Sequence, residues 1–334
     1  VGPGAEAANN AATGDEKIEL PVEMMRKLDV QGDFRIAELT AKENQIKQLL
    51  ITTKARNGII DISPLSMQVL QGQVNADIKL DVQKQVPAYV LNLDVNQVQV
   101  GPIVNPYLVG LMADEPLEMK GAVNVKTAIK TSGDSVNVLK KSSRGSIVLD
   151  MKQTTLDGFD VEYYMRSSIA NYVDSKGTGF SQSIMGDYQP RKVTVFDTIH
   201  STVNVADGKA RTDDFLMSSK RVEITAKGYV NIMVNTVDVT SAIRLPRGKT
   251  VLEKILNEPL FVRTHGPFEA LQHDIDTDRL QKTTTDALTK QTKAELKEKI
   301  DAEKARAKEK LDQELKKNTD KLQDKLKNKF KGLF

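Results

Sequence analysis

Three histidines, His200, His265 and His273, are the side chains of this sequence best suited to metal ligation or proton transfer, and their spacing matches neither HxxxH nor HExxH. They fall in strand-like and loop-like stretches, so surface or packing roles are expected and a metal site is not. Two glycine-bearing near-matches lie close together. GFSQS at 179–183 lacks the closing glycine of a nucleophile elbow, and GTGFSQ lacks both the third glycine of a dinucleotide fingerprint and its strand-to-helix setting. Both read as turn chemistry. Cysteine is absent, which removes disulfides, thiolate catalysis and zinc–thiolate sites, and fits a periplasmic and a cytosolic chain equally. With 5% aromatic residues, no Trp and no basic-aromatic interleaving on the strands, a nucleic-acid platform has no support. Neither catalysis nor a cofactor is expected.

The elements that would have to position such chemistry are strands. From Gln73 to Gln83 every second residue is apolar (Val74, Ala76, Ile78, Leu80, Val82) and the residues between are Gln, Asn, Asp or Lys. This period of two belongs to a strand with one dry face. Residues 57–82, opened by a glycine turn and broken by Pro64, read as two long antiparallel strands. Leu49, Ile51, Thr53 and Ala55 alternate before them, and Tyr89, Leu91, Leu93 and Val95 after them. Asn105-Pro106 offers an N-cap and a first-turn proline for a short apolar helix through Leu111. Met119–Ile129 and Gly145–Gln153 return to alternation, and Phe159–Val173 reads as a helix with Val161, Met165, Ile169 and Tyr172 on one stripe. Residues 174–191 are Gly/Ser-rich and read as a loop.

The sharpest alternation follows. Val195, Ile199, Val203 and Val205 share one parity, Asp207-Gly208 offers a hairpin turn, and Val222, Ile224, Ala226, Gly228, Val230, Ile232 and Val234 alternate without a break. So much one-sided apolar surface must be covered by protein or by a ligand. The first answer is a closed barrel or a two-sheet sandwich. The second is one long antiparallel sheet bent into an open groove whose core is completed by acyl chains, which aliphatic walls would hold at about 0.8 kcal/mol per buried CH₂.

The order of a turn glycine, a short strand, Pro-Leu, a strand, a second glycine and a long alternating strand resembles the C-terminal region of the AsmA family of bacterial envelope proteins. The likeness continues in Gly121 after a short apolar segment, in GSIVLDMKQTTLDGFDV at 145–161, and in Phe196, Gly208 and Gly228, while Ala226 replaces the first glycine of the family's Gly-x-Gly. It spans residues 18–277. It implies a mainly β, taco-like open groove with short helices and a long C-terminal helix, carrying phospholipid or another diacyl lipid between the inner and outer membranes without enzymatic chemistry. On that reading Val74, Ile78, Leu80, Leu91, Leu93, Val222, Ile224, Val230 and Ile232 line the groove. The competing function is a periplasmic scaffold or assembly factor with a closed β core. The family also implies an inner-membrane anchor, and because Val1 opens the chain, with no signal-peptide pattern and no apolar run near ~20 residues, that anchor is expected to be missing from this chain.

Residues 1–16 read as a flexible linker, 17–277 as the groove domain and 278–334 as a helical tail. The tail holds 17 Lys and Arg against 11 Asp and Glu, so its net charge is +6 while the remainder carries −3. Ile300, Leu311, Leu322 and Leu333 recur every 11 residues, close to the stripe of a straight helix. Leu322, Leu326, Phe330 and Leu333 share a face flanked by Lys325 and Lys329, which suits a membrane surface or an envelope protein partner; packing on the β domain and a solvated arm are the other readings.

Overall fold

The computed structural model describes residues 15–41, 44–108, 116–175, 181–245 and 259–276, with isolated positions from 278 to 309. The chain divides into two units, of which the first, 1–247 with 256–277, holds every strand found among the described residues.

That unit is one antiparallel sheet of thirteen strands in sequence order, each strand pairing only with its chain neighbours. The strands are β1 (Asp29–Ala41), β2 (Asn44–Arg56), β3 (Ile59–Val69), β4 (Gly72–Asp81), β5 (Ala88–Gln99), β6 (Glu118–Ser132) and β7 (Arg144–Asp157). They continue as β8 (Val193–Ala206), β9 (Lys209–Ser218), β10 (Glu223–Asn231), β11 (Thr236–Arg244), β12 (Leu260–Pro267) and β13 (Gln272–Ile275). β13 does not return to β1 and no second sheet faces this one among the described residues, so the closed barrel and the sandwich both give way to the open sheet.

Hairpins between neighbours follow from turn chemistry. Asn57-Gly58 (φ 50° and 77°) and Asp207-Gly208 (φ 52° and 71°) take positive φ at both central positions, the conformation that matches the twist of flanking strands. Leu70-Gln71 adopts the same conformation without a glycine (φ 49° and 64°). The long strands are interrupted by register shifts, several of them at a single glutamine of positive φ: Gln48 in β2, Gln97 in β5 and Gln153 in β7. Each extra residue bends its strand and increases the local twist. Pro64 lies at another shift, between Ile62 and Leu65, where a missing N–H breaks no ladder bond.

Helices occupy the connections: α1 (Val22–Arg26), α2 (Gly101–Leu108), α3 (Val136–Ser142), α4 (Val161–Ser175) and α5 (Ser181–Met185). α2 begins at Gly101, with Pro106 inside it. Asn105, expected as an N-cap, instead accepts the Met119 N–H on β6 at 2.8 Å. Of the stripe expected on α4, Val161, Met165 and Ile169 are buried at 6%, 3% and 1% exposure, and Tyr172 is half-buried. The loop expected over 174–191 contains α5, whose Ile184 is fully buried and whose Ile184 carbonyl accepts a bond from Arg166 on α4. These helices, with Phe196, Thr154 and Val222, form the dry core at one end of the strands.

The long C-terminal helix is corrected. The element order ends at β13, and the longest described helix is α4 with 15 residues. Leu322, Leu326, Phe330, Leu333, Lys325 and Lys329 lie outside the described residues. No described helix is long and apolar enough to cross a membrane.

Candidate functional site: one apolar face of the sheet

Directly paired residues of antiparallel strands point to the same face, so the register shows which side chains form a surface. One row runs from Phe34 through Ile51, Leu65, Ala76 and Leu93 to Thr127 and Ile147, crossing β1 to β7. It continues through Val203, Thr212, Gly228 and Val239 on β8 to β11. A second row joins Ile62, Ile78, Leu91 and Ile129, passes Gly145, and resumes at Val205, Ala210, Val230 and Val237. Apart from Phe34 at the β1 end, these rows hold aliphatic, small or threonine side chains, and they carry no charge.

The opposite face is polar. Asp61 lies between Lys54 and Lys79, and Asp94 between Asn75 and Lys126. On β8, His200 bonds Asp150 of β7 at 2.7 Å through Nδ1 and faces Asp214 of β9 at 3.5 Å through Nε2. On the same face His265 bonds Asp274 at 2.9 Å, whereas His273 pairs with Thr264, bonds it at 3.0 Å and lies on the Val239 side at the last strand. All three histidines therefore sit in surface ladders, and no cluster that could hold a metal ion is found among the described residues.

The bond to Asp150 holds the His200 imidazole above its ordinary pKa. A raised folded-state value gives stability that is fully present below the unfolded pKa of about 6.5 and is lost as pH rises through the folded value. His200→Gln should remove that slope. The effect is at most on the order of 0.5 kcal/mol, because the pair is solvent-screened. Urea melts at pH 6 and pH 9 would show it as a smaller pH difference in the variant.

The expected groove residues separate into two groups. Val74, Ile78, Leu80, Leu91, Leu93, Ile224 and Val230 all lie in the ladder and are half-buried. Val222 precedes β10, is 1% exposed and belongs to the dry core under the helices. Ile232 lies in the turn after β10, where its N–H donates to the Gly208 carbonyl. Sequence reading missed Thr127 and Thr212 as members of the surface, because it followed each strand separately and not the pairing. A core residue of a packed domain is nearly inaccessible, as Phe196 is here at 0%. Apart from the buried Ala76 and Val205 and the exposed Phe34, the row residues are half-buried, so the described residues leave most of the face open.

The sequence model of the AsmA family matches residues 5–215, from ahead of β1 into β9. The chain belongs to the AsmA family. Its similarity to "Protein AsmA" of Escherichia coli (strain K12) is 20% identity over 229 residues, which is 67% of this chain and 35% of that protein. The chain thus spans about a third of the length of the curated relative it matches. No solved structure matches it.

The departure from the family's Gly-x-Gly at Ala226 has a local explanation. Ala226 is 6% exposed and has no positive φ, whereas Gly228 has φ +153° and a Cβ there would meet the Asp238 carbonyl oxygen at 2.2 Å. Only the second position requires glycine.

Proposed function

We propose that this AsmA-family chain is a non-enzymatic carrier of phospholipid, or of another diacyl lipid, in the periplasm between the inner and outer membranes. The observation that carries the reading is the uninterrupted, half-buried apolar face on an open sheet with a polar reverse side. A twisted open sheet of more than about ten strands tends to curl, and the register shifts bend this one further. Curled with the apolar face inward, it is a trough with a polar outer wall. An acyl chain needs only non-directional apolar contact, and each buried CH₂ contributes about 0.8 kcal/mol. Rows of Ile, Leu, Val, Ala and Thr supply that contact along the sheet without distinguishing one position from the next, which suits a ligand that slides.

Fluorescent phospholipid in donor vesicles, with unlabelled acceptors, tests the reading. The chain should accelerate transfer in proportion to its concentration. No acceleration, with the sheet intact by circular dichroism, would favour a scaffold role in envelope assembly.

A further inference from the structure

β9 ends at Ser218 opposite Thr198, so residues 193–197 of β8 are paired on the β7 side alone. A cavity of about 260 Å³ fills the gap between that free edge, the start of α4, the segment 188–191 and the β9–β10 turn. Thr194 pairs with Leu156 on the apolar side of the sheet, while Val195 and Asp197 belong to the polar side. The cavity is therefore lined by residues from both sides of the sheet, at the end of the apolar face.

Its polar lining is unevenly committed. Asp160 accepts the Tyr163 and Arg191 backbone N–H groups and the Tyr188 hydroxyl at 2.7–3.0 Å, and Asp197 accepts Gln153 Nε2 at 3.2 Å. Burial and the bond to Asp160 push the Tyr188 hydroxyl upward in pKa, so it remains a donor. Glu162, with a side chain only 8% exposed, is held by Arg166 at 3.0 Å and Arg221 at 3.2 Å. The carboxylates are thus already engaged by donors. Among the described residues the Arg191 guanidinium and the Lys220 ammonium have no acidic partner, and Arg221 spends one nitrogen on Glu162. Counting Arg166 behind Glu162, four cations meet three carboxylates. Val193, Val195 and Val222 supply an apolar wall.

We infer that this cavity binds a phosphate ester, the polar end of a lipid whose acyl chains lie on the adjoining apolar face, with Arg191, Lys220 and Arg221 as its donors. The inference rests on the lipid-carrier reading. Guanidinium forks match phosphate oxygens in pairs, an ammonium adds a point charge, and unspent donors in a partly enclosed site favour an anion. Arg221 also holds Glu162, so the testable pair is Arg191 and Lys220, both on the surface.

The test uses the full chain and the double variant R191Q/K220Q, with unchanged circular dichroism and melting temperature as its folding check. Dioctanoyl phosphatidic acid and dioctanoylglycerol, identical in acyl chains, are titrated against both proteins. The expected result is binding of phosphatidic acid weakened about tenfold in the variant, as for loss of hydrogen bonds to a charged group, with dioctanoylglycerol unchanged. Equal affinities of both proteins for phosphatidic acid, or an equal loss for both lipids, would overturn the inference. Glycerol 3-phosphate, followed by ³¹P line broadening, separates the two readings. If neither lipid binds but the broadening is present and lost in the variant, the phosphate site stands as a site for a free phosphate ester and the carrier reading fails. If neither lipid binds and no broadening occurs, both fail.

Discussion

Leu93→Asp is expected to leave the protein folded and abolish lipid retention, whereas Phe196→Asp is expected to unfold it. The two positions carry similar apolar side chains on strands of one sheet. Leu93 sits mid-row between Ala76 and Thr127 and is half-buried, so a carboxylate there keeps water and costs less than about 2 kcal/mol. It nevertheless puts a charge where acyl chains would lie. Phe196 is fully buried against the α4 end of the sheet, and an unpaired carboxylate at that site should cost more than about 4 kcal/mol. Urea denaturation and lipid extraction of both variants measure the difference. Unfolding of Leu93→Asp would mean that the face is a packed core.

The second large effect is expected at Gly145. It lies in the second row with φ +151°, and a Cβ added there would stand 1.9 Å from the Ala128 carbonyl oxygen and 2.9 Å from the Ile129 Cα, both on the neighbouring β6. Gly145→Val combines a backbone conformation that side chains avoid with a clash against a ladder strand. Each of these costs ~1–3 kcal/mol, so about 2–6 kcal/mol should be lost. Gly32 on β1 is the control. Nothing lies within 4 Å of a Cβ there and its φ is ordinary, so Gly32→Ala should be neutral or stabilise by up to about 1 kcal/mol. Midpoints of chemical denaturation compare the two; a Gly145→Val midpoint equal to the parent's would contradict the tight β6–β7 approach.

Strand-by-strand alternation was sufficient to read the sheet and the apolar parity of β4, β5 and β10, since side chains on a regular strand repeat every two residues. It failed where a residue is inserted. Val195 shares parity with Ile199 in the sequence but is 45% exposed, because the face passes from Ile199 to Phe196 in three steps, opposite Met151 and Thr154. The inserted residues Gln48, Gln97 and Gln153 are not turn formers, so composition gave no sign of them. Val222 looked like one more groove position because nothing in its own strand reveals that α4 and α5 cover that end. The polar cavity beside β8 was illegible for a related reason: Asp160, Arg191 and Lys220 are far apart in the chain and meet only through the early end of β9.

The most direct test of the carrier account is organic extraction of the gently purified chain followed by quantitative mass spectrometry. The account predicts diacyl phospholipid in stoichiometric amount, lost from Leu93→Asp while the sheet persists. Recovery of no stoichiometric lipid from the folded parent protein, after exposure to phospholipid vesicles, would contradict it.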